Sequence, residues 1–180
     1  GYGQQFRTNV RRATRKRQAI LSRARQSTVA CFQEVRGNTA HAWEIAAHLG
    51  SDFLVAYSCS ENQSAGGMIL TISKDWLGAS YAIDVHSDVL GRDLIVTIST
   101  PEGTTRFCNL HLLPGRQLTL RQKKDSLDRI VQYLHPDEGH MGFVAADFNF
   151  SELGECTVNA DGSNGGSSSS IGRYWSEVSC

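Results

Sequence analysis

Glu34 ends the apolar run 28–32, a place where packing gives a carboxylate no reason to be. Asn109 and His111 stand two apart in a second apolar run. In a strand both project to one side, and Leu110 and Leu112 project to the other. Asp147 and Asn149 repeat that spacing directly after a third run, 142–146. Two carboxylates, amides and an imidazole gathered at strand ends make a cradle for a hard, oxygen-seeking cation such as magnesium. The same set can orient a water and protonate a leaving oxygen. Taken singly, each has a plainer reading. Glu34 alone is a turn cap, His111 a half-buried histidine with its bonds satisfied, and Asp147 with Asn149 an Asx-type turn. Their order and company carry the chemical reading.

Those side chains meet only if strands and helices bring them to one place. Residues 13–26 show an irregular helical stripe of Ala13, Ile20, Leu21 and Ala24, with arginines filling the rest. The run 28–32 is short and partly β-branched, which predicts a buried strand. Residues 39–49 predict a helix with Ala42, Trp43, Ile45, Ala46 and Leu49 inward, stopped by Gly50. Strands are predicted over 53–57, 68–72, 81–85, 94–98 and 106–112, separated by polar turns such as Pro101-Glu102-Gly103. Gly66-Gly67 leads into the second of them. Helical period returns over 118–134, with Leu120, Leu127, Ile130, Val131 and Leu134 inward, and 142–146 is a last clear strand. The stretch 161–170 is rich in Gly and Ser, lacks any apolar residue and predicts a loop; 171–180 predicts the start of a further helix. Helix and strand alternate early and strands dominate later. That pattern predicts an α+β or layered α/β/α architecture with a mixed sheet.

Composition narrows the classes. An apolar fraction of 40% and a charged fraction of 20% are an ordinary globular balance, and 180 residues can bury a sizeable core. Eighteen basic and eighteen acidic residues cancel, which excludes a uniformly basic nucleic-acid-coating protein. The cancellation hides an asymmetry. Residues 1–33 hold eight basic residues and no acid, leaving ten basic against eighteen acidic in the remainder. A basic segment beside a carboxylate-bearing body suits a polyanionic ligand held near metal-binding acids; the plain alternative is a solvated helix face. No apolar run approaches the roughly 20 residues of a membrane span, and no basic-then-apolar segment opens the sequence. Five cysteines lie at 31, 59, 108, 156 and 180 with no CxxC spacing, and Cys31 and Cys108 sit inside apolar runs. This predicts core thiols, no zinc site or disulfide framework, and a reducing, intracellular compartment, the nucleus included.

Four segments, in order, carry a resemblance. Cys31-Phe-Gln-Glu-Val-Arg-Gly37, Gly66-Gly-Met-Ile-Leu70, Asn109-Leu-His-Leu112 and Ala145-Ala-Asp-Phe-Asn149 resemble the motifs of the endonuclease/exonuclease/phosphatase superfamily over about residues 6–150. The resemblance implies an α/β, four-layer α/β/β/α sandwich of two mixed sheets, and phosphoester hydrolysis with magnesium or manganese. It places Glu34 at the metal-binding glutamate of a "QE" motif. Asn9, in Thr8-Asn-Val-Arg11, falls at the opening asparagine that contacts metal or phosphate. Asn109 and His111 match an "NxH" form that binds phosphate or donates a proton, and Asp147 with Asn149 matches a "GDFN" pair that orients the water and binds phosphate. Glu61 falls near the acid that orients the histidine in deoxyribonuclease-like members. Two departures stand out. Ala146 replaces the glycine before Asp147, and no histidine follows His140, so the terminal "SDH" motif is not found. The expectation is one partial domain over 1–180, incomplete at its C-terminus.

The function that follows from the resemblance is metal-dependent phosphodiester hydrolysis. The arginine-rich segment 11–25 favours nucleic acid, DNA foremost, and an endonuclease of the non-LTR retrotransposon kind. The alternatives are a phosphatase, sphingomyelinase or deadenylase of the same superfamily, or a catalytically dead nucleic-acid-binding relic.

Overall fold

A computed structural model describes residues 2–60, 66–112, 119–134, 140–147, 157–158 and 164–165. Helix α1 runs from Tyr2 to Arg25, beginning eleven residues before the apolar stripe that predicts it. Residues 2–12 offer no period-2 alternation, and their Gln and Arg residues are good helix formers, so the stretch joins the helix. Strand β1 (Val29–Phe32) follows. Helix α2 (Thr39–Leu49) starts at a capping box, in which Asn38 Oδ1 accepts from the His41 N–H at 3.2 Å, and stops at Gly50 with φ +76°. Strands β2 (Phe53–Ser58) and β3 (Met68–Ser73), the single turn α3 (Lys74–Leu77) and strands β4 (Ala82–His86) and β5 (Asp93–Thr100) come next. A two-residue turn joins β5 to β6 (Gly103–His111), and α4 (Leu120–Leu134) crosses over to β7 (His140–Asp147). Such a helical crossover is what two parallel neighbours require, and β7 lies parallel to β6.

The strands form two main sheets. The first has the order β1-β3-β2 and is antiparallel across both of its pairs. The second has the order β4-β5-β6-β7 and is mixed, with only the last pair parallel. Alternation assigns the faces. Met68, Leu70 and Ile72 of β3 pack against Leu94, Val96 and Ile98 of β5 and Phe107 of β6, filling the space between the sheets. Ile69 points the other way, against Ile20, Leu21 and Ala24 of α1 and Ile45 and Leu49 of α2. On the far side, Ile95, Cys108, Leu110 and Leu112 pack against Leu127 and Ile130 of α4. Leu127 is fully buried, worth roughly 1.5–3 kcal/mol relative to an exposed leucine. The layers therefore run helices, sheet, sheet, helix, the four-layer sandwich that the resemblance implies.

Cys108 is buried and Cys31 half-buried, and burial pushes both thiols up to about 11. The expected loop 161–170 is interrupted. Asn164–Gly165 (β9) pairs with Thr157–Val158 (β8) through backbone hydrogen bonds, which need no apolar side chain. The helix expected over 171–180 lies outside the described residues.

Candidate active site

Where β1 ends, the chain turns sharply. Glu34 and Arg36 both have φ +52°, a region that a residue with a Cβ rarely occupies. Neighbouring loops hold them there. The Val35 and Arg36 N–H groups donate to Gly67 O and Gly66 O at 3.0 and 2.8 Å, and the Gly67 N–H donates to Gly91 O at 3.0 Å. This explains Gly66: a Cβ there would lie 2.8 Å from Gly91 O, on a backbone already at φ +72°. Lys16 Nζ donates to the Glu34 carbonyl, tying α1 to the same turn. The Glu34 carboxylate takes a hydrogen bond from Arg36 Nη2 at 3.0 Å, and its side chain is 41% exposed. That bond is the main reason its carboxyl lies below the usual range, so it is ionised at neutral pH.

His111 ends β6 on the face turned toward the first sheet. It is 4% exposed. Arg92 Nη1 donates to its Nδ1 at 2.8 Å, and Glu34 Oε1 lies 3.8 Å from the same nitrogen. Burial lowers its pKa, Arg92 lowers it further, and Glu34 and Asp147 oppose the shift. Asp147 lies directly across from His111 in the parallel β6–β7 register, and its carbonyl accepts the Leu112 N–H at 2.9 Å. Beside His111 a cleft of about 290 Å³ opens between Val89, Arg92, Gln122, Ser126 and Arg129.

Glu34 and Asp147 thus neighbour His111, and Asn109 is placed otherwise than as a phosphate ligand. Its side chain is 1% exposed between the sheets. Nδ2 donates to Phe32 O at 3.2 Å and Ile69 O at 3.1 Å, while Oδ1 accepts from Gln33 Nε2 at 2.7 Å. An amide spent in this way has nothing left for a phosphate. It braces β6 against the ends of β1 and β3, and Gln33 extends the brace to Ala145 O at 3.3 Å. Asn9 lies in the helix α1 rather than beside a strand, and its side chain is outside the description, as are Asn149 and Glu61.

Sequence reasoning missed Gln33 as a brace and Arg92 altogether. The signal for Arg92 is Gly91-Arg92-Asp93 immediately before an apolar run, a polar cluster at a strand entrance. Asp93 is buried, and its carboxylate accepts from the Val89 N–H and Ser87 Oγ, fixing the loop that delivers Arg92.

Among the described residues no three His, Cys, Asp or Glu side chains are grouped to hold a metal ion. Magnesium needs no such cage. It keeps most of its waters and binds through one or two carboxylates plus substrate phosphates. A solvent-open, ionised Glu34 fits that demand.

No family model and no curated protein matches the amino-acid sequence. Solved structures do match. Zebrafish (D. rerio) TDP2 complexed with a single-strand DNA product aligns with a TM-score of 0.53 at 13% identity, over 76% of this chain and 54% of that one. The endonuclease domain of TRAS1, a telomere-specific non-LTR retrotransposon, aligns with a TM-score of 0.56 at 11% identity, over 91% and 63%. The human Nocturnin catalytic domain with bound sulfate anion gives 0.50 at 14% identity, over 77% and 58%. All three are of the superfamily that the sequence motifs resemble. The chain has the endonuclease/exonuclease/phosphatase fold. It spans between about half and two thirds of the length of these structures. In this fold, Glu34, His111 and Asp147 stand at strand ends at one edge of the two-sheet sandwich.

Proposed function

We propose that the chain hydrolyses phosphodiester bonds in nucleic acid, DNA foremost, with magnesium or manganese. The observation that carries this reading is that Glu34 lies 3.8 Å from the buried imidazole of His111, whose strand partner in the β6–β7 register is Asp147. Asp147 accepts a hydrogen bond from the attacking water and takes its proton as the new P–O bond forms, while the ester P–O bond opposite breaks and the leaving sugar oxygen takes a proton from solvent and departs as a hydroxyl. His111 donates to a phosphate oxygen, and Asn149 is assigned to the same phosphate. Glu34 would hold the metal, which would supply positive charge to the oxygens that gain negative charge. Asn9, given a metal or phosphate role by the motif, lies on α1. Among the fold neighbours, the zebrafish TDP2 bound to a single-strand DNA product and the TRAS1 endonuclease domain support a nucleic-acid substrate.

Nicking of supercoiled plasmid tests this. The chain is expected to relax plasmid with magnesium or manganese and not with chelator. Asp147→Asn is expected to slow nicking by roughly 10²–10⁴, the usual worth of a positioned acid or base. Equal nicking with chelator, or full activity in Asp147→Asn, would overturn the proposal.

A further inference from the structure

Arg92 meets His111 twice. Its carbonyl accepts the His111 N–H at 2.8 Å, and its Nη1 lies 2.8 Å from the imidazole Nδ1. A guanidinium has five N–H donors, no acceptor, and does not deprotonate in proteins. The hydrogen between the two groups therefore belongs to Arg92, and Nδ1 must present its lone pair. A neutral imidazole then carries its one proton on Nε2. Glu34 pulls the other way. Its Oε1 lies 3.8 Å from the same Nδ1, an acceptor that favours a proton there. The guanidinium is the nearer partner and decides the outcome.

Arg92 is itself held firmly. Its N–H donates to Val89 O at 2.9 Å. The preceding Gly91, at φ +74°, donates to Ser58 Oγ at 2.7 Å. The guanidinium lies close beside Gly66, where a Cβ would be 3.4 Å from Arg92 Cζ. Arg36 occupies Glu34 Oε2, so one arginine engages the carboxylate and another the imidazole.

We propose that Arg92 is a positioning residue that holds His111 in the Nε2–H tautomer, fixing the imidazole as a hydrogen-bond donor rather than a base paired with Glu34. The target of that donor, a phosphate oxygen, rests on the proposed function; the tautomer does not. The side chain that sets the histidine is thus a cation on the β5 entrance, and the imidazole enters the reaction already carrying the hydrogen that a phosphate oxygen accepts.

The test is a long-range proton–nitrogen spectrum of the histidine-labelled chain at pH 8 in chelator, with His111 assigned through His111→Gln. The wild-type chain is expected to show Nδ1 unprotonated and Nε2 protonated. In Arg92→Met the Glu34 carboxylate becomes the nearest partner, and the dominant population is expected to switch to Nδ1–H. Arg92→Lys keeps a cationic donor and is expected to retain Nε2–H, with backbone amide spectra confirming the fold of each variant. A wild-type spectrum with Nδ1 protonated, or an Arg92→Met spectrum identical to wild type, would overturn the proposal. The spectrum uses no substrate and no turnover, so a chain that fails to nick DNA leaves this result standing, and the reverse holds as well.

Discussion

Glu34 keeps its carboxylate at the end of β1 at a cost in backbone energy. A residue with a Cβ held at φ +52° gives up about 1–2 kcal/mol, and glycine does not. Glu34→Gly is therefore expected to raise stability by up to about 1 kcal/mol, net of the freedom that glycine adds to the unfolded chain, while abolishing magnesium affinity. A urea midpoint reads the first effect and calorimetric titration the second; a lowered midpoint would show that the turn is not strained. His111 adds a pH dependence. Its folded pKa lies below the ordinary histidine value of about 6.5 because it is buried against Arg92. Above that ordinary value both states are neutral there. As pH falls through it, the unfolded chain takes up the proton first, so stability declines toward acid. Between pH 7 and 5 the wild-type midpoint is expected to fall more steeply than that of His111→Gln, and equal slopes would contradict this. At this scale the sequence shows types and faces but not depth. The spacing of Asn109 and His111 reveals their shared face. It does not reveal that the face at 109 is covered by the first sheet, turning one amide into a brace.

Strands and helices are readable wherever an apolar face repeats. The apolar runs 68–72 and 94–98 predict the strands, but only packing decides the faces, Met68, Leu70 and Ile72 meeting the other sheet and Ile69 the helices. Thr71 is the exception within β3. It is 1% exposed on the helix-facing side, and its hydroxyl has no hydrogen-bond partner among the described residues. Thr71→Val removes a stranded polar atom at nearly constant shape and is expected to stabilise by about 1 kcal/mol. A destabilised variant in urea melts would show that the hydroxyl is in fact satisfied. Helix α1 is only half legible, because its first eleven residues carry neither a strand nor a helix pattern. Its basic residues do not act alike. Arg17 is paired with Glu44 at 2.7 Å and Lys16 with the Glu34 carbonyl, whereas Arg15 is exposed. Arg11, Arg12 and Arg15 belong to one basic segment of the sequence. Replacing the three is expected to weaken DNA binding and to flatten its salt dependence by about 0.9 in slope for each phosphate that is no longer neutralised. A slope unchanged by the replacements would show that this helix faces only solvent.

For the molecule as a whole, zero net charge conceals a basic first helix laid against an acidic sandwich, and Lys16 joins the two at the Glu34 turn. Among the described strands, β1 and β7 each end their sheet on the same flank. Between them Phe143 stacks on Phe107 at 5.3 Å over a groove of about 540 Å³. The order of four motifs makes the layered architecture readable in advance. The polar cluster Gly91-Arg92-Asp93 marks a strand entrance but not its partner, because only the packing of the turns around Gly66 and Gly91 brings Arg92 to His111. In the proposed function Glu34, His111 and Asp147 act as one hydrolytic unit. Single-turnover cleavage of an end-labelled oligonucleotide, run for each single variant and for His111→Gln with Asp147→Asn, tests it directly. Members of one unit are strongly non-additive. Each single variant is expected to lose roughly 10²-fold or more, and the double variant to be hardly slower than the worse single one. Cleavage indifferent to all three side chains, or losses that multiply as if the sites were independent, would contradict it.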